Sequence, residues 1–141
     1  GRNHDLHVSL IDLVGSDPRF TIFGFTRRIP ALMARADILI TKPGGITCSE
    51  AMAARLPMLL LEPLPGHEED NAAYLTRTGA ACLIHAGSAG SAVTNLLVQE
   101  PVRLAAMREA AASAGRPRAA EAIANQIFTL SKANRHHSAT A

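Results

Sequence analysis

Three short apolar runs, "DILIT" (37–41), "MLLLE" (58–62) and "AACLI" (80–84), recur roughly twenty residues apart with helical patterns between them. Each run is continuously apolar rather than alternating. Continuous runs belong to strands covered on both faces, which is the habit of parallel sheets. Strands separated by helical stretches pair in parallel, because the helix carries the chain back across the sheet. The spacing therefore predicts an α/β chain: a Rossmann-like parallel sheet flanked by helices. "FTIFGF" (20–25) reads as a further short buried strand ahead of these three.

The intervening segments fit that frame. Residues 3–14 place Leu6, Leu10 and Leu13 on one helical face, and "GSDPR" (15–19) reads as a turn. Pro30 suits the first turn of a helix. A helix over 47–55 is broken by Pro57, and "NAAYLTRTG" is a helix closed by Gly79. Beyond residue 88 the pattern is helical, with Val93, Leu96 and Leu97, then Leu104, Met107 and Ala111, then Ile123, Ile127 and Leu130 as apolar faces. Residues 1–133 are expected to form one domain and 134–141 a disordered tail. The adjacent His136 and His137 fall in that tail, and two such residues alone make a poor metal site.

Composition narrows the function classes. A net charge of +2 and four Phe, one Tyr and no Trp argue against a nucleic-acid binder. Cys48 and Cys82 stand far apart without metal spacing and read as buried free thiols. No apolar run approaches the ~18 residues of a membrane span, and no signal peptide is visible. The chain opens on Gly1 rather than Met and reads as a piece of a longer protein.

Chemistry concentrates in two loops. The first, in "TKPGGITCSE" (41–50), sits where a strand hands over to a helix. Open parallel sheets bind ligands beyond the carboxyl ends of their strands. Gly44 and Gly45 permit backbone angles that other residues avoid and let a ligand approach the amides. A helix beginning at Thr47 would aim free N–H groups and the positive end of its dipole at the same place, which suits a phosphate. The pattern is neither G-x-x-x-x-G-K-[ST] nor G-x-G-x-x-G, so an ordinary strand-to-helix turn stands beside the anion seat as a reading. Glu50 is equally open. Thr47-Cys48-Ser49-Glu50 matches the capping box T-x-x-E, so Glu50 either reaches back to the cap amide or contacts a ligand.

The second loop, "PLPGHEEDN" (63–71), would lie on the same rim and presents His67, Glu68, Glu69, Asp70 and Asn71 in succession. Carboxylates suit the first turn of a helix, so a solvated acidic helix start is one reading. The other is a hydroxyl-rich ligand held by side-chain acceptors and amides. Two carboxylates without further ligands make a weak metal site.

Taken together, T-K-P-G-G-x-T-x-x-E, then P-G-x-E-x-x-N, then G-A-A resemble the donor-binding half of the lipid glycosyltransferases. These are the processive diacylglycerol glucosyltransferases, the monogalactosyldiacylglycerol synthases and, more distantly, the peptidoglycan N-acetylglucosaminyltransferase. The likeness spans about residues 1–130 and is sharpest over 24–81. It implies the C-terminal half of a GT-B fold, with the domain's first strand and the acceptor-binding N-terminal domain absent. It further implies a hexosyltransferase that takes a UDP-hexose donor and a lipid acceptor, works peripherally at the cytoplasmic face of a membrane, and needs no metal or other cofactor. Carried onto matching positions, Phe25 and Thr26 hold uracil, the latter through its main chain. Gly44, Gly45 and Thr47 hold the diphosphate, and Glu50 accepts from the ribose. His67 and Glu68 face the sugar with Asn71 supporting them. His67 stands where the family commonly has Gln, and a neutral imidazole still offers one donor and one acceptor. The general base belongs to the absent half, so the piece alone is expected to be inactive. A UDP-sugar epimerase, the peptidoglycan enzyme and a non-enzymatic α/β interaction module are the alternatives.

Overall fold

The structure, a computed structural model, describes the backbone of residues 1–137 and side chains as far as Ser131. The chain divides into two compact units, Gly1–Arg35 and residue 36 onward.

The first unit holds two helices. Helix α1 (His4–Val14) begins because the Asn3 side chain accepts a 3.0 Å hydrogen bond from the Leu6 amide, supplying one of the acceptors a helix start lacks. It ends at Gly15, whose φ of 56° is one that glycine tolerates without strain. None of its residues is buried, and Leu6 and Leu13 are exposed, so the apolar face expected to pack does not. Residues 20–25 form no strand, and Phe20, Phe23 and Phe25 are exposed. An extended segment becomes a strand only when a neighbour takes its main-chain groups. Among the described residues no strand pairs with it; the Phe20 amide turns back to the Asp17 carbonyl and the Gly24 carbonyl accepts from the Gly1 amino group. Helix α2 (Ile29–Met33) carries Pro30 in its first turn, as expected.

The second unit is a three-stranded parallel sheet in the order β1 (Leu39–Thr41), β2 (Met58–Leu60), β3 (Ala81–Leu83). Leu39, Met58 and Ala81 stand in register, as do Thr41, Leu60 and Leu83. Central strand β2 has no exposed surface at all, which is why it reads as an unbroken apolar run. Leu59 points into a cluster with Leu96 and Met107, joined by Ile38, Cys82, Ile84, Ala92 and Val93. Met58 and Leu60 alternate to the other face and are equally buried.

Helices α3 (Gly45–Ala53) and α4 (His67–Arg77) connect the strands. After β3 come a short 3-10 turn (Ala86–Ser88), α5 (Ala89–Thr94), a π-helical turn (Asn95–Gln99), α6 (Pro101–Ala114) and α7 (Ala119–His137). Helix α6 packs on α3. The approach is close where α6 ends, since a Cβ on Gly115 would lie 2.5 Å from the Met52 carbonyl oxygen. Helix α7 continues to His137, so the first residues of the expected tail are helical. The rest of it, 138–141, lies outside the described residues.

Candidate functional site

Parallel strands send their carboxyl ends to one rim, so the loops after β1 and β2 leave side by side. After β1 the chain runs through Lys42 and the buried Pro43 into α3. The helix starts two residues earlier than the sequence suggests: Gly44 is its N-cap and Gly45 its first residue. That placement overturns the capping box at Thr47. Thr47 lies inside the first turn, and Gly44 makes no side-chain cap bond. Glu50, exposed on the next turn, forms no side-chain hydrogen bond among the described residues.

The absence of a cap leaves donors free. The Cys48 amide bonds to the Gly44 carbonyl at 3.0 Å, but the amides of Gly45, Ile46 and Thr47 find no acceptor among the described residues. These are orphan N–H groups of a helix start, carrying the positive end of its dipole.

The glycine pair does not serve unusual backbone angles, contrary to expectation. Gly44 has φ −72° and ψ 132°, an ordinary extended conformation, and Gly45 is helical. Neither appears among the positive-φ residues, where Gly66 and Gly79 do. A Cβ at Gly44 would meet nothing within 4 Å, and one at Gly45 would meet only the Asn71 Nδ2 at 3.7 Å, an ordinary contact. Neither backbone angle nor internal packing demands glycine at either position. The missing side chains leave room beside the turn that carries the three free amides.

The loop after β2 is built by its own sequence. Pro63 and Pro65 carry no N–H, so the donors in 63–66 are those of Leu64 and Gly66. Both are taken. The Glu68 Oε2 accepts from Leu64 at 2.8 Å, and the Glu69 Oε2 accepts from Gly66, the N-cap of α4, at 2.9 Å. Sequence reasoning missed this brace, although two prolines followed by paired glutamates are a readable signal for it. Glu68 keeps its other oxygen. The exposed His67 is the first residue of α4 and follows Gly66, whose φ of 100° requires glycine.

Asn71 joins the two loops. Its Nδ2 donates to the Pro43 carbonyl oxygen at 3.0 Å across 28 residues of sequence. Between α3 and α4 lies a cleft of about 160 Å³, lined by Gly45, Cys48, Ser49, Asn71, Tyr74 and neighbouring apolar groups. Burial pushes the Cys48 thiol up, and the negative charge of Glu68 adds to the effect. Cys82 is likewise pushed up, chiefly by burial. Both cysteines are free. Among the described residues no three His, Cys, Asp or Glu side chains gather as a metal site would require.

Phe25 and Thr26 lie in the first unit. The Phe25 ring is exposed with the Arg2 guanidinium 5.5 Å from its centre. Thr26 Oγ1 accepts from the Arg28 amide at 3.1 Å, while Thr26's own main-chain N–H and carbonyl form no hydrogen bond among the described residues.

Residues 1–123 match the glycosyltransferase family 28 C-terminal domain. The chain belongs to that family. This glycosyltransferase domain is 38% identical over 138 residues to a processive diacylglycerol beta-glucosyltransferase of Bacillus cereus (strain AH187), a match covering 97% of the chain and 36% of that protein. It is 39% identical over 139 residues to the protein of that name from Bacillus mycoides (strain KBAB4). The chain thus spans about 36% of the length of these curated relatives. A solved structure titled as the glycotransferase of kitacinnamycin superposes with a TM-score of 0.54 at 23% identity, over 77% of this chain and 30% of that one. That likeness carries the fold: a Rossmann-like parallel sheet flanked by helices, as in the C-terminal half of a GT-B glycosyltransferase. No helix of the described residues is long and apolar enough to cross a membrane.

Proposed function

We propose that this domain holds the UDP-hexose donor of an enzyme that moves the hexose to a lipid hydroxyl, such as that of diacylglycerol. The observation that carries the reading is the bare turn at Gly44 and Gly45, whose glycines serve neither the fold's angles nor its packing and which lies beside three amides without acceptors. A helix start with open N–H groups suits a diphosphate. The names of the relatives support the donor and acceptor classes.

In this reading the amides of Gly45, Ile46 and Thr47 take the diphosphate, and Glu50, free of any capping duty, accepts from the ribose. Phe25 and the unused main-chain groups of Thr26 take the uracil. His67, the spare oxygen of Glu68 and Asn71 serve the sugar. As the bond from the sugar to UDP breaks, negative charge grows on the leaving diphosphate. Amides fixed beforehand stabilise that charge without reorganising, and one such donor is worth about 3–4 kcal/mol in other enzymes. In this reading no metal holds the diphosphate, because the helix terminus supplies the positive counterpart. The base that activates the acceptor hydroxyl belongs to the other half of the GT-B fold, and the enzyme works peripherally at the cytoplasmic face of a membrane.

Calorimetric titration of UDP into the chain, with amide resonances followed in parallel, tests the reading. Binding that shifts Gly45, Ile46 and Thr47 is expected. Absence of binding, or binding that leaves those three amides unmoved, overturns it.

A further inference from the structure

We infer that Asn71 is a positioning residue for the diphosphate seat, acting through the Pro43 carbonyl, and is not only a neighbour of the sugar. The inference rests on the donor-binding reading.

Pro43 is fully buried and immediately precedes the N-cap of α3. Its carbonyl belongs to the peptide that enters Gly44, so the direction of that carbonyl sets how the turn delivers the amides of Gly45, Ile46 and Thr47. The Asn71 side chain donates to it at 3.0 Å. A carbonyl oxygen only accepts, so the contacting atom must be the amide nitrogen and the side-chain orientation is determined. Helix α4 thus holds the entrance of α3 from outside its own segment. The same nitrogen stands close to the first residue of α3, 3.7 Å from where a Gly45 Cβ would be. With Nδ2 engaged, Oδ1 has no hydrogen bond among the described residues, and Asn71 follows His67 by one turn of α4. One amide holds the turn with its nitrogen and keeps an oxygen that can accept from a sugar hydroxyl. Engagement of the sugar and presentation of the phosphate seat are coupled through a single side chain.

A sugar contact and a positioning role predict different things for a ligand without sugar. If Asn71 only touches sugar, Asn71→Ala weakens UDP-glucose and leaves UDP unchanged. If it positions the seat, the variant weakens UDP as well, by roughly ten-fold for the loss of one partly buried hydrogen bond. A melting curve on the same samples establishes that the variant is folded. The wild-type chain gives a second measurement that needs no variant. Its Asn71 side-chain amide protons should exchange slowly, and their resonances should move when UDP alone is added. Asn71→Ala binding UDP like the wild type, or an Asn71 side-chain amide that responds to UDP-glucose but not to UDP, overturns the inference while leaving the donor-binding reading intact. Failure of the wild type to bind UDP at all removes the reading first.

Discussion

Replacing Gly45 by Ala should make the domain more stable and a poorer nucleotide binder. Gly45 is the first helical residue of α3, has no positive φ, and its added Cβ would stand 3.7 Å from Asn71 Nδ2. Alanine restricts the unfolded chain and favours the helix. The gain at an unstrained helical position is about 0.5–1 kcal/mol, or a rise in Tm of roughly 2–5 °C. The same methyl lies beside the amides proposed to receive the diphosphate. A hydrogen bond to a charged group is worth about 1.5–3 kcal/mol, so displacing the ligand from one of them should weaken UDP about 10–100-fold. Thermal melting and calorimetric titration on one preparation read both quantities. Two results would refute the reasoning. A destabilised Gly45→Ala would mean that the fold itself needs the glycine. A stabilised variant that binds UDP like the parent would mean that the open space over the amides is not a ligand seat.

Other expectations separate fold from function. Gly115→Ala should cost about 1–3 kcal/mol by overpacking, because its Cβ would lie 2.5 Å from the Met52 oxygen and 2.8 Å from the Met52 carbonyl carbon, both backbone atoms; a chemical melt showing no loss would refute it. Glu50→Ala should melt within about 0.5 kcal/mol of the parent, as surface changes do, yet lose UDP affinity. If it unfolds, Glu50 has a structural role the geometry does not reveal. Cys48 and Cys82, pushed up by burial, should resist iodoacetamide in the folded chain at pH 8 and react once denaturant is added. Glu100 is held below its ordinary 4.5 by hydrogen bonds from Arg103 and Asn95. A depressed folded value means its contribution is present above pH 4.5 and lost as the pH falls further. Glu100→Gln should therefore flatten the acid limb of a stability profile, and an unchanged limb would show that the pair contributes nothing.

Much of the second unit is legible in the sequence because strand and helix periodicities are local. β1, β2 and β3 fall inside the predicted runs, each a residue or two shorter at one or both ends. The first unit departs from expectation for the opposite reason. Phe20, Ile22 and Phe23 have the composition of a strand, but a strand is a pairing, and no strand among the described residues pairs with them. The α1 face of Leu6, Leu10 and Leu13 has the right spacing and nothing buries Leu6 or Leu13.

In the site, the residue types announce two polar loops on one rim and a helix start facing outward. Their spacing alone determines that much, since parallel strands share a direction and proline, glycine and acid residues restrict the backbone around them. Which atoms are occupied is a tertiary matter. Thr47 has the sequence of a cap and is not one, because α3 begins two residues earlier, at the glycines. Glu68 reads as a free acceptor and has one oxygen on Leu64. Asn71 meets Pro43 across 28 residues. Hydrogen bonds are short and directional, so their partners depend on where separate segments come to rest in space, and local sequence patterns do not encode that.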